Sequence, residues 1–277
     1  PNFDHLSGSA NHEFLVSAAK RTKLGANAGG FALYGGPHIL TLVTEVATRA
    51  LKAVRYQKFN VHLRLRPEAL AARIEKAKEL DEIASTCGYF GKLSEDIKET
   101  VAKIKEHNAS IPDRGAETAL LPMAFAEGSP MHPAYGAGHA TVAGACVTVL
   151  KAFFDTSALF GINKCSKQAG FYASGDIESF VEYRSEVGDD GKVFLEPNTA
   201  PTCPLTLEGE LNKLAANISI GRNMAGVHYF TDYYDSLRMG EQIAIGMLEE
   251  QALCYPTDDF VLSLTTFDGE VVRIGAK

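Results

Sequence analysis

The chain has 277 residues, of which 45% are hydrophobic and 22% charged, a globular composition that excludes wholesale disorder. Lys and Arg number 27 against 34 Asp and Glu, a net charge of −7. That balance argues against nucleic acid as a partner, because a phosphate backbone needs a broad basic footprint. An anion site in this chain has to be a local basic pocket.

The first 38 residues are glycine-rich, with Gly25, Gly29, Gly30, Gly35 and Gly36 before Pro37, and read as turns; they form neither a GxGxxG nor a Walker motif. From His38 to about His62 the spacing predicts a helix, with Leu40, Val43, Ala47, Leu51 and Val54 on one stripe. Pro67 closes that unit. Two charged helices follow, roughly 68–84 and 93–107, with alternating Lys and Glu on solvated faces. The stretch 111–138 reads as loop. A buried helix is expected over 140–154, with only Lys151 on its solvent face.

The pattern then changes. Residues 180–187 alternate, Gly188–Gly191 is a turn, and Val193–Leu195 returns, which predicts a small β-hairpin insertion at about 170–200. Helices resume over 207–221 and 231–254. A last hairpin turns at Asp268–Gly269, between 261–265 and 271–274. No segment reads as a membrane span: the most apolar helix, 39–54, carries Glu45, Arg49 and Lys52. No secretory signal is recognised, and the compartment stays open. The start at Pro1 rather than Met suggests a processed chain or a fragment. Five cysteines (Cys87, Cys146, Cys165, Cys203, Cys254) show no CxxC pair. Their odd number leaves at least one thiol over unless it pairs between chains; buried or free thiols are expected, with Cys165 and Cys203 the candidate intrachain pair.

Three clusters combine a cation or histidine with an element that can position it. In Lys58-Phe-Asn-Val-His-Leu-Arg-Leu-Arg66-Pro67, the two ends are eight residues apart. In a continuing helix they point to one side, about 12 Å apart along the axis, and can close on a shared anion. The same residues also fit a solvated basic helix end. In His132-Pro-Ala-Tyr-Gly-Ala137-Gly138-His139, a glycine-rich loop runs into the apolar helix. Free N–H groups there make an anion site, with His139 at its edge for proton exchange; a glycine turn with a capping histidine is the alternative. In Gly221-Arg222 through His228 to Asp232, Gly226 permits a break that brings Arg222 and His228 to one pocket. Asp232, four residues on, can orient the imidazole, or simply place charge at a helix start.

The order K-x7-RP, G-x-GH entering a helix, and GR-x5-H-x3-D resembles the active-site signature of vanadium-dependent haloperoxidases, shared with phosphatidic-acid-phosphatase-type acid phosphatases. The wider stretches LPMAFAEGSPMHPAYGAGHATVAGACVTVLKAFFD and ISIGRNMAGVHYFTDYYDSLRMGEQIAIGMLEEQ resemble the carboxy-terminal half of algal and cyanobacterial bromoperoxidases. The resemblance implies a mainly α fold, a helical bundle of the haloperoxidase/acid phosphatase type with small β-hairpin insertions. It implies that residues 1–277 form a single vanadate-binding helical domain, the carboxy-terminal half of a longer chain.

Further implications follow from the family. His228 ligates vanadium in vanadate, and Lys58, Arg66 and Arg222, with the Gly138 N–H, neutralise the oxygens. His139 acts as acid–base group, Lys58 polarises bound peroxide, and His132 is an additional histidine near the site. Phosphate can occupy the same pocket. Hydrogen peroxide and bromide are the implied substrates, a hypobromous-acid-like oxidant brominates a small organic acceptor, and the assembly is a homo-oligomer without membrane or nucleic acid. Ala137 departs from the family serine and removes a donor worth roughly 1.5–3 kcal/mol toward a charged group. Two rival readings share the pocket: an acid phosphatase with His228 as nucleophile, and a non-catalytic oxyanion-binding domain.

Overall fold

A computed structural model of the chain describes residues 36–84, 92, 95–112, 115–164, 167, 169–172, 177–179, 183–197, 205–255 and 261–275. The architecture is mainly α. Helices α1 (Gly36–Tyr56), α2 (Pro67–Glu75), α3 (Ala77–Ala84), α4 (Lys98–Ser110) and α5 (Gly138–Phe153) precede five short strands, and α6 (Leu207–Met224) and α7 (Phe230–Ala252) precede a final hairpin. No helix among the described residues is long and apolar enough to cross a membrane. Cys165 and Cys203, the candidate pair, lie outside the described residues, as does most of the glycine-rich start. Cys146 and Cys254 are free thiols.

Two compact units divide the chain: 1–49 with 144–215 and 240–277, and 50–143 with 216–239. In the first, β1 (Leu159–Asn163) lies between β2 (Ala169–Tyr172) and β3 (Ile177–Ser179) in an antiparallel sheet of order β2-β1-β3. That sheet is absent from the sequence reading, because its strands are too short for a period-2 pattern to rise above the surrounding polar residues. The expected hairpin insertion is present: β4 (Tyr183–Val187) pairs with β5 (Val193–Pro197), Val187 opposite Val193. The C-terminal hairpin is β6 (Leu262–Thr265) with β7 (Val271–Ile274). Leu262, Leu264 and Ile274 are its buried positions.

Two expectations about faces are corrected. The buried stripe of α1 is Ile39, Leu42, Val46, Ala50 and Val54, while Leu40 and Leu51 are exposed. The helix carries two adjacent apolar stripes, and periodicity alone cannot choose between them. Lys151 does not face solvent; its residue is 1% exposed. Its Nζ donates to the Thr265 carbonyl at 2.6 Å and stands 3.6 Å from the Glu241 carboxylate. The C-terminal hairpin, through Thr265, and α7, through Glu241, thus supply the partners that let a lysine sit inside. Elsewhere on α5, the buried Thr141 and Thr148 hydroxyls satisfy themselves on carbonyls four residues back, at 2.9 and 2.8 Å.

Candidate functional site: a cationic pocket around one histidine

The residues singled out above all belong to the second unit. There α1 passes into a π-helical segment, Gln57–His62, which ends where Leu63 turns left-handed (φ 47°). Residues 63–66 are not helical, and Arg66 takes an extended conformation as the residue before Pro67, the first position of α2. Lys58 and Arg66 therefore do not share a helix face by phase. The helix ends at the left-handed Leu63 and the chain leads into Pro67, which disfavours a helical Arg66. Arg66 nonetheless joins the pocket, and both cations are buried, at 4% and 6% exposure.

Arg66 is the hub. Its Nε donates to the His132 carbonyl at 2.8 Å, and one terminal nitrogen donates to the Val227 carbonyl at 2.8 Å and meets His228 Nε2 at 3.0 Å. The other terminal nitrogen meets His132 Nδ1 at 2.9 Å. A guanidinium only donates, so both imidazole nitrogens are acceptors, which fixes both tautomers. His132 carries its proton on Nε2, and the 3.3 Å approach of its Nδ1 to the Pro133 carbonyl joins two acceptors and is no hydrogen bond. His228 carries its proton on Nδ1, donating to Asp232 Oδ2 at 2.9 Å. Its Nε2 lone pair faces the cations.

Asp232 is fully buried. It also accepts from the Tyr229 N–H at 3.1 Å and from Arg64 at 2.9 Å. Burial pushes its carboxyl upward, but His228, the Tyr229 N–H and Arg64 outweigh this and hold it below its ordinary value. Arg64 stacks over the Tyr229 ring at 4.2 Å and donates to Thr231 Oγ1 at 2.9 Å. The sequence reading passed over Arg64, which falls in the unspecified gap of K-x7-RP. Its only sequence signal is a second cation two residues from Arg66.

The backbone break after α6 occurs at Gly226, as its position suggested. Gly226 adopts φ +79°, and a Cβ there would approach the Met123 sulfur at 3.2 Å and the Pro122 carbonyl at 3.3 Å. On the loop before α5, Ala137 donates its N–H to the buried Ser236 hydroxyl at 2.8 Å. Gly136 must be glycine for that contact, since a Cβ would fall 2.6 Å from the Ser236 oxygen. Lys58 ties the same loop down through the Pro133 and Ala134 carbonyls, at 2.8 and 3.1 Å.

Burial and the Arg66 charge bring the Lys58 ammonium down to about 8, against the pull of Asp232. Burial and Arg222 bring Arg66 down to about 10. His139 and His132 are exposed residues at the pocket edge. Partial burial and then Arg222 and Lys58 keep His139 below its ordinary value. Burial lowers His228, against the opposing hydrogen bond it donates to Asp232. The cluster thus sets Lys58, Arg66 and Arg222 against a single carboxylate. Arg222 Nε is buried with no hydrogen-bond partner among the described residues. Beside Gly138, at the N-terminus of α5, a Cβ would meet nothing within 4 Å. An unused buried donor, an open helix N-terminus and a surplus of cations suit an oxyanion, with the His228 lone pair held meanwhile by Arg66. Among the described residues no three His, Cys, Asp or Glu side chains gather to hold a metal cation.

Comparisons with known proteins bear on this pocket. A family model described as the VCPO second helical-bundle domain matches residues 102–254, a stretch that includes His132, His139, Arg222 and His228. A vanadium-dependent bromoperoxidase of Corallina pilulifera is 47% identical over 254 residues, and one of Corallina officinalis 47% over 251; each match covers 88% of this chain. The chain spans only 38% of the length of either relative. A homohexameric structure of the second vanadate-dependent bromoperoxidase of Ascophyllum nodosum superposes with a TM-score of 0.61 at 26% identity, covering 95% of this chain and 46% of that one.

Proposed function

From the premise that this chain belongs to the VCPO second helical-bundle domain family, we propose that it is the vanadate-binding, carboxy-terminal part of a vanadium-dependent bromoperoxidase. The observation that carries the reading is the placement of the His228 ring, with Nδ1 2.9 Å from Asp232 and Nε2 3.0 Å from the Arg66 guanidinium. His228 Nε2 is the protein ligand. Lys58, Arg66, Arg222 and the Gly138 N–H neutralise the oxygens, and phosphate fits the same set. When bound, vanadate supplies a Lewis acid that activates hydrogen peroxide toward bromide without changing oxidation state.

The remaining work belongs to the chain's own residues. Lys58, with its ammonium near neutral balance, polarises an oxygen and can share a proton. His139, at the pocket edge and kept below its ordinary value, takes a proton from peroxide and returns it to the departing oxygen. Asp232, clamped by Arg64, prevents the His228 ring from turning. His132 holds Arg66 in place from the solvent side. The product is a hypobromous-acid-like oxidant that brominates a small organic acceptor, and the longer protein assembles as a homo-oligomer.

The test uses the longer natural chain. Peroxide- and bromide-dependent bromination of a phenol dye should appear on adding orthovanadate and vanish on its removal. Hydrolysis of p-nitrophenyl phosphate without any bromination would replace this reading with the phosphatase one. Neither activity would leave a binding domain.

A further inference from the structure

A groove of about 450 Å³ lies beside the cationic pocket, between residues 63–72 and the loop 129–133. Its volume is that of a small-molecule site. Leu63, Leu65, Ala69, Ala72, Pro130 and Met131 form its apolar walls. Two other lining residues, Arg66 and His132, are members of the pocket already described. Arg66, whose guanidinium touches His228 Nε2, is therefore also a lining residue of the groove.

The groove is built rather than incidental. Ser129 donates its N–H to Glu68 Oε2 at 2.6 Å, Arg66 Nε donates to the His132 carbonyl at 2.8 Å, and Ala134 donates its N–H to the Arg64 carbonyl at 2.8 Å. These bonds fix the loop against the 64–68 segment, so a ligand would not have to order it. Met131, at the edge, is fully exposed. The lining residues include two arginines, Arg64 and Arg66, against one acidic residue, Glu68, whose carboxylate is already held by a backbone N–H. Four of the five N–H donors of Arg66 are engaged. Apolar walls with a surplus of guanidinium favour a flat, electron-rich ring carrying a hydroxyl or phenolate, because guanidinium planes stack on aromatic faces and donate to oxygen.

We propose that this groove binds the organic acceptor, a phenolic aromatic ring, and presents it to the oxidant formed next door. The proposal rests on the bromoperoxidase reading above. The ring π electrons attack the bromine of hypobromous acid and form a C–Br bond. The O–Br bond breaks, and the departing hydroxide takes the ring proton as water, so phenol and hypobromous acid give bromophenol and water.

The test uses the longer chain loaded with vanadate, with 2-naphthol as probe. Without peroxide, 2-naphthol should shift the Met131 methyl resonance in methionine-labelled protein. Ala69→Phe and Ala72→Phe, which fill the groove from α2, should abolish that shift. They should also raise the KM for 2-naphthol at least about tenfold, while tribromide formation from bromide and peroxide alone stays at the parent rate. No Met131 shift in the parent overturns the proposal, including the case in which another segment of the longer chain fills the groove. A KM unchanged within about twofold in both variants also overturns it. A parent that makes no tribromide refutes the peroxidase reading instead, and the Met131 resonance still decides whether the groove binds a phenol.

Discussion

Two buried lysines, one in each compact unit, show two ways of taking a cation out of water. Lys151 is closed with its opposite. Glu241 stands 3.6 Å away, the Thr265 carbonyl accepts its proton at 2.6 Å, and the Phe267 ring lies 4.3 Å from the ammonium. Glu241 is itself satisfied by the Phe267 N–H at 2.8 Å. Burial drives Lys151 down and Glu241 up, but the charges cancel locally. Among the described residues Lys58 has carbonyls as its hydrogen-bond partners, and burial and the second cation, Arg66, outweigh the pull of Asp232 on it. The difference separates a charge that serves the fold from one that waits for a ligand: the first is balanced by the chain, the second is left in surplus.

That contrast is most sharply broken at Glu241. Glu241→Ala leaves Lys151 buried and unpaired and should cost about 3–5 kcal/mol in urea unfolding, whereas replacing both with Met and Leu should be close to neutral. If Glu241→Ala melted like the parent, Lys151 would not depend on its carboxylate. The opposite is expected of Lys58→Met, which should leave stability unchanged or higher. It should weaken phosphate or orthovanadate binding, measured by calorimetry, by at least about tenfold, since a charge-assisted hydrogen bond is lost. Arg64→Met should weaken orthovanadate binding by about tenfold, the lower end of what losing an outer partner of a metal-bound histidine costs. Arg64→Lys should recover part of it. Equal loss in both would mean that Arg64 acts through packing on Tyr229 alone.

The smallest effect is in pH. The folded value for Lys58 is depressed from 10.5 to about 8. Its contribution to stability is therefore present above the ordinary value and is lost as pH falls through about 8. Oxyanion binding runs the other way, because it needs the charged ammonium, and should weaken as pH rises through about 8. Unfolding and phosphate titrations on either side of that value check both signs, and Lys58→Met should flatten both.

The sequence marked which residues gather better than which faces are buried. Lys58, Arg66, His139, Arg222 and His228 could be picked out because cations and histidines recur beside glycine and proline, which break helices. The Gly226 break was readable for the same reason. The route by which Lys58 and Arg66 meet was not, since a π-helical segment and a left-handed Leu63 carry no periodic signature. Lys151 and the α1 stripe were misplaced because burial depends on partners distant in the chain. Arg64 was passed over because a lone arginine among arginines says nothing of Asp232, 168 positions away.

The most direct measurement is a crystal structure of the longer protein soaked with orthovanadate. The account predicts vanadium density bonded to His228 Nε2, with the Arg66 guanidinium moved off that nitrogen from its 3.0 Å contact and onto the vanadate oxygens. Vanadium at another residue, or Arg66 still hydrogen-bonded to His228 Nε2 in the loaded protein, would contradict it.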